Sequence, residues 1–478
     1  MPTRPWLAVT AGVVLAAVAL LVYLVTRTDR FYDHFVWQAA AFLEGQAAVR
    51  YPVQGTGGSV GNWFFQDVLP VASTDGVPRG LLPFPPLPAL VLLPFVALYG
   101  LATDDQTIFT MLAAVDVALC WWMLGRLRLS PAVRLGTTLF FTFGTVFWYT
   151  AQLATTWYQA HIVAVGLGLF AVGLALGTDP DAVEDEPGFD DPDWRPARRP
   201  APGPIRRERW QGALGIDGRQ FVVGFLFGLV ATARLTVIFA APFFMLVGSG
   251  GTWWRRSWSA GLGVAIPVAA LLAYNVVSTG APLHPAYDYL YRLETASFPA
   301  LGYEPGWSVE DPRYLPQNAV IMFLTGPDVL PTTLPDSLGV YATPVCQGPT
   351  DQRGLFDLAC PLAVPRDFGM SVLLTSPAFL LIIPALRRYG RSRLVTGAAL
   401  AVLVVVIVNL MHFSQGWVQF GYRFSNDAVP FALPLVAVGF QRLADGGRRW
   451  AMPLGMGLVV LSIAVNAWGV AWGTLLGW

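Results

Sequence analysis

Apolar runs close to twenty residues long recur along this chain from Leu7 onward. Short arginine-bearing turns separate them, and two long polar stretches interrupt the series. Each run can cross roughly 30 Å of hydrocarbon. A backbone in lipid must satisfy its own hydrogen bonds, so the runs predict helices. The expected fold class is all-α, a polytopic transmembrane bundle of about 11 spans with external interfacial helices and a large external loop.

Arginines in the short loops orient the bundle, because cytoplasmic loops carry the excess of positive charge. The clusters are Arg126, Arg128 and Arg134; Arg255 and Arg256; Arg387 through Arg393; Arg448 and Arg449; and the 179–218 stretch. One threading places all five on one side. Its spans are 7–26, 107–125, 132–150, 160–177, 219–233, 235–250, 258–277, 371–386, 394–411, 428–442 and 451–473. The domains follow. Residues 1–178 form the N-terminal half, with a first external loop at 27–106. Residues 179–218, rich in Pro, Asp and Arg, read as a disordered cytoplasmic loop. Residues 219–277 carry spans 5–7, 278–370 form a second external loop, and 371–478 carry spans 8–11. The proline-rich 83–101 segment is apolar enough to cross, but its prolines disfavour a regular helix. It is assigned as interfacial or re-entrant.

Composition agrees: 55% of the 478 residues are hydrophobic and 13% charged, about half the charged share of a soluble domain. Mean hydropathy is +0.53. The thirty basic residues, all Arg, balance thirty acidic ones, so no basic surface calls for nucleic acid and none is expected as a partner. With no Lys, Schiff-base chemistry on lysine is excluded. The threading carries His34, His161, His284 and His412 to external span ends, which points to an external polar cleft. Cys120 falls inside a span as a packing residue. Cys346 and Cys360 share the second external loop, where an oxidising compartment would let them pair; a disulfide and two free thiols both remain open. Asp116, within span 2, is expected to face the bundle interior.

Asp33 opens an amphipathic stretch in which Phe35, Ala39, Phe42 and Leu43 recur at helical spacing. On the residues alone its plain reading is a helix N-cap. An Asp just past the first span, followed by an Ala-rich amphipathic helix ending Leu43-Glu44-Gly45, resembles the first external loop of the GT-C superfamily. These are membrane glycosyltransferases that use polyprenyl-phosphate sugars, among them protein O-mannosyltransferases and the lipid A aminoarabinose transferase. Further segments are similar in order: Pro83-Phe84-Pro85-Pro86-Leu87-Pro88, Trp157-Tyr158-Gln159-Ala160-His161, the 228–236 segment around Arg234, Tyr274-Asn275, and Gln419 through Phe424 with Asp427 and Pro430. The Glu-Lys-Pro form of the proline helix is absent.

The resemblance implies sugar transfer from a polyprenyl-phosphate donor to a glycan, lipid or protein acceptor on the extracytoplasmic side. It implies Asp33 as general base, with Asp67 and Glu44 as alternatives. Arg234, Arg423, His161 and His34 are the implied donor-phosphate ligands. No ligand spacing demands a metal, and a divalent ion is neither required nor excluded. The expected location is a prokaryotic plasma membrane, with membrane lipid and the lipid-linked donor as partners. A transporter or lipid flippase is the competing class.

Overall fold

The computed structural model describes residues 5–29, 32–50, 67–72, 76–179, 215–285, 304, 306–335, 342–348, 352–414, 416 and 418–478. Most of the 179–218 loop and part of the second external loop lie outside these residues. The described chain is an all-α bundle with small strands confined to the two long loops.

Among the described residues, seven helices are long and apolar enough to cross a membrane. They include α1 (Pro5–Thr26), α4 (Asp105–Leu124), α7 (Thr156–Thr178), α10 (Trp253–Thr279), α14 (Arg393–Leu410) and α16 (Ala451–Leu475). The seventh joins the 3₁₀ turn Arg423–Ala428 to α15 (Val429–Asp445). Four expected crossings are interrupted or short. The 132–150 run divides into α5 (Pro131–Phe143) and α6 (Phe147–Leu153), parted at Gly144. The 219–233 run is α8 (Gly218–Ala231), and 235–250 is the 3₁₀ stretch Leu235–Ala240 followed by α9 (Ala241–Leu246). The 371–386 run breaks into α12 (Val372–Thr375), the 3₁₀ turn Pro377–Leu381 and α13 (Ile382–Leu386). Proline explains part of this: Pro242 and Pro377 start new turns because they lack the N–H that would continue the preceding one.

The 83–101 segment forms α3 (Leu87–Tyr99), with Pro88 in its first turn and Pro94 inside it. Thirteen residues rise about 20 Å, short of a hydrocarbon core. α3 instead packs along α2 (His34–Leu43). A small antiparallel sheet lies beside this pair: β1 (Val49–Arg50), β2 (Leu69–Val71) and β3 (Arg79–Leu81), with Val49 opposite Gly80 and Leu69 opposite Leu81. Trp37, Val49, Val68 and Leu82 form its core. In the second long loop, α11 (Leu315–Phe323) packs against α14. Two further antiparallel pairings join β4 (Asp328–Val329) to β7 (Ala363–Val364) and β5 (Thr333–Pro335) to β6 (Ala342–Pro344). Cys346 and Cys360 are joined as a disulfide, with Cα atoms 4.4 Å apart.

Glycine permits the close contact of α8 with α10. A Cβ at Gly224 of α8 would stand 2.1 Å from the Ala260 carbonyl of α10, and one at Gly263 would stand 2.1 Å from Phe221 O. Only small residues permit such an approach, the usual device of helices packed in lipid.

The bundle has two polar ends. At one, buried Asp179 after α7 accepts from Arg393 Nη2 (3.0 Å) and Nη1 (3.1 Å) of α14 and from Gly248 N–H (3.1 Å). Arg256 of α10 stands 3.7 Å away. The Ser130 N–H at the start of α5 donates to Gln441 near the end of α15 (2.7 Å). The arginine-rich turns thus share this end. His34, His161 and Asp427 lie at the other, where α4, α7 and α15 begin.

Candidate functional site

The first turns of α7 organise the end opposite the arginines. Thr155 precedes the helix in extended conformation, so the next few side chains fan out toward three neighbours. Thr156 donates its hydroxyl to Tyr32 O (2.9 Å), leaving its oxygen to accept from His34 Nδ1 (2.8 Å). That fixes the His34 proton on Nδ1. The ring is fully buried among Trp37, Phe84 and Trp157. Trp157 donates to the buried Asp67 (2.8 Å), and Gln159 donates to Asp105 (2.6 Å). His34 and Asp67 are therefore bracing groups that hold the first external loop against α7.

Asp33 stands at the N-cap position of α2, but its side chain makes no capping hydrogen bond. The plain N-cap reading thus fails at the level of atoms. The half-buried carboxylate accepts no hydrogen bond from any described residue. Burial raises its pKa to about 6, and the nearby Asp104 carboxylate adds to the rise. Asp104 behaves oppositely. Its partial burial is outweighed by hydrogen bonds from Thr107 and Arg27, which hold it below the usual carboxylate range. Two neighbouring acids are thereby pushed apart, one a bound anion and the other a free base near neutrality.

About 7.5 Å further along α7, five residues on from Thr156, His161 enters a second cluster built on Asp427. This carboxylate is fully buried and collects five donors from four places in the chain. Oδ1 accepts from His161 Nδ1 (2.9 Å) and Arg234 Nε (3.1 Å). Oδ2 accepts from Arg234 Nη2 (2.8 Å), Thr236 Oγ1 (2.8 Å) and Asn409 Nδ2 (3.2 Å). Arg234 ends α8 with an extended backbone (φ −139, ψ 102), which turns its guanidinium onto Asp427 from the side. The bidentate geometry is the strong form of the pair.

Arg423 differs from Arg234. Its guanidinium has no hydrogen bond or carboxylate partner among the described residues, and lies 5.5 Å from the Tyr158 ring and 5.4 Å from the Phe424 ring. Phe424 also lies 5.0 Å from the Arg234 guanidinium. One aromatic ring thus contacts two guanidiniums that lie within about 10 Å of each other, contacts that the ring quadrupole favours. Gly416 makes room for it: at φ +95, a Cβ there would meet Arg423 Nε at 2.6 Å.

Other candidates fall elsewhere. Glu44 pairs with Arg50 at the surface (2.9 Å). His412 pairs with Glu310 (3.2 Å), and burial lowers the His284 pKa to about 4. Asp116 is fully buried, with neither oxygen hydrogen-bonded among the described residues, and it packs on Gly166. Among the described residues no group of three or more His, Cys, Asp or Glu is placed to hold a metal ion. The role of Asp427 escapes a reading of the residues. Its partners stand 266, 193, 191 and 18 positions away, and only its place in the 419–430 segment marks it. Compared with known proteins, the chain matches no family model, no curated protein and no solved structure.

Proposed function

We propose that this protein is a membrane glycosyltransferase that moves a sugar from a polyprenyl-phosphate donor to an acceptor hydroxyl. The arginine end faces the cytoplasm by the positive-inside rule. The Asp33 and Asp427 clusters therefore open on the extracytoplasmic face of a plasma membrane that the chain crosses about 11 times. The observation that carries the reading is a pair of uncommitted groups at one end of the bundle. Among the described residues, one is a half-buried carboxylate of raised pKa that accepts no hydrogen bond, and the other a guanidinium with no counter-ion. The first turns of α7 bridge the clusters that hold them.

The chemistry follows from those two groups. The acceptor O–H gives its proton to Asp33 as its oxygen bonds to the anomeric carbon. The bond from that carbon to the phosphate oxygen breaks, and its electron pair leaves with polyprenyl phosphate. A single displacement inverts the anomeric centre. Arg423 stabilises the charge that develops on the departing phosphate, with Arg234 and His161 behind it on Asp427. The three interrupted segments favour a second reading, a transporter or flippase, since such proteins build sites from interrupted helices.

Reconstituted protein given labelled hexosyl-phosphoryl-decaprenols, with total envelope glycolipid and peptide as acceptors, separates the two. Transfer by the wild type, lowered ~10²- to 10⁴-fold by Asp33→Asn, is the expected result. Unimpaired transfer by the variant removes Asp33 from its role. Donor moved across the bilayer without cleavage favours the transporter.

A further inference from the structure

The Asp427 cluster holds more order than phosphate binding requires, and its charges count unevenly. Arg234 and Arg423 contribute two positive charges and Asp427 cancels one. Among the described residues, what remains is one net positive charge, and it resides on Arg423, whose guanidinium has no acceptor there. Resting on the reading above, we propose that Asp427 is the residue that sets donor specificity. By neutralising Arg234 it tunes the site to a singly charged phosphodiester and against a doubly charged diphosphate.

Three features carry the inference. First, Asp427 is fully buried and accepts from both the Nε and Nη2 edge of Arg234, so the neutralisation is fixed by geometry rather than by a mobile counter-ion. Second, Thr236 and Asn409 hold the carboxylate from other elements, so an incoming anion cannot displace it from Arg234 without breaking several bonds. Third, both guanidiniums contact the Phe424 ring, at 5.0 and 5.4 Å from its centroid, so a phosphate at Arg423 lies within range of whatever net charge Arg234 carries. A phosphodiester brings one negative charge and matches the net charge. A diphosphate brings two, and its second charge finds an arginine already paired with a buried carboxylate. Specificity of this kind works by rejecting the wrong ligand as much as by attracting the right one.

The test is equilibrium binding of two synthetic lipids, hexosyl-phosphoryl-decaprenol and hexosyl-diphosphoryl-decaprenol, to the full chain in lipid nanodiscs. Wild type is expected to prefer the phosphodiester by about tenfold or more, the effect of one elementary charge several ångström away in a partly solvated site. Asp427→Asn is expected to erase or invert that preference. Arg234→Gln weakens the phosphodiester, and adding Asp427→Asn to it restores the lost affinity by about tenfold, because the net charge returns to one. That pair of variants keeps the test intact should Asp427→Asn alone fail to fold. A preference unchanged in Asp427→Asn, or no recovery in the double variant, overturns the proposal while leaving the transferase reading standing. A wild type that binds neither lipid overturns both.

Discussion

Two buried carboxylates, Asp179 at the arginine end and Asp427 at the opposite end, each belong to a cluster that includes two arginines. By charge alone they are alike. They differ in what the guanidiniums do. At Asp179 both arginines are fully engaged: Arg393 holds the carboxylate, and Arg256 donates to the Gly248 carbonyl (2.8 Å) and the Met245 carbonyl (3.3 Å). Both guanidiniums thus reach protein acceptors, and the cluster ties the ends of α7, α10 and α14 together. At Asp427, among the described residues, only Arg234 of the two guanidiniums is engaged, while Arg423 rests against aromatic rings without an acceptor. A guanidinium near a membrane interior is expensive to leave unpaired. The lesson is that a charge count does not separate a brace from a binding site, whereas an inventory of donors without acceptors does.

The sharpest way to break the comparison is to remove one arginine from each end. Arg423→Gln is expected to lower donor transfer ~10²- to 10³-fold, the usual loss when one donor to a developing anion is removed. Its melting temperature should stay close to that of wild type, because no protein acceptor loses a bond. Arg393→Gln should do the reverse. It leaves Asp179 with a weakened partner set, costs on the order of 3 kcal/mol, and lowers the melting temperature by several degrees. Transfer per folded molecule should hold. Matching activity losses in the two variants would erase the distinction. The readouts are specific transfer rate and thermal denaturation of the purified protein.

Much of the frame was legible from residues. Run lengths placed the seven long helices, and arginine clusters sorted the turns that the structure gathers at one end. Arg234 drew notice because it interrupts two apolar runs. Three things were not legible. The breaks at Gly144 and within 371–386 depend on packing, and apolarity alone reads through them. The partners of Asp427 come from distant elements, and no local pattern ties Asp427 to His161 or Arg234. Asp33 carries the residue type and position of an N-cap, so its free carboxylate shows only in the side-chain geometry. The resemblance pointed to Arg234, Arg423, His161 and Asp427 but not to how they pair.

Asp33 offers the next test, smaller and continuous in pH. The base must be ionised to accept a proton, and burial has raised its pKa to about 6. Transfer should therefore rise about tenfold per pH unit below 6 and level off above about 7. Stability runs the other way. A raised folded-state pKa favours the protonated carboxyl in the folded protein. That contribution is fully present below the ordinary value of 3.8 and is lost as pH rises through about 6. Asp33→Asn, which cannot ionise, should melt at a higher temperature than wild type at pH 8 and at the same temperature at pH 3.5. Asp104, whose pKa is held low, contributes with the opposite sign. Measuring both arms with Asp104 intact isolates Asp33.

The smallest expected effect tests how redundant the Asp427 cluster is. Thr236→Val keeps the shape of the side chain and removes one of five donors to the carboxylate. The four remaining bonds, two of them from Arg234, still fix both oxygens. A hydrogen bond to a charged acceptor contributes about 1.5–3 kcal/mol. In a site this well supplied, the loss should fall at the low end and appear as a small drop in melting temperature. Transfer should change less than about threefold, because Arg423 does not depend on Thr236 for its place. A large loss of transfer with intact stability would mean that Thr236 itself meets the donor. The uncommitted part of the site would then extend from Arg423 to the start of the Leu235–Ala240 turn, and Asp427 would resemble the brace at Asp179 less than its five bonds suggest.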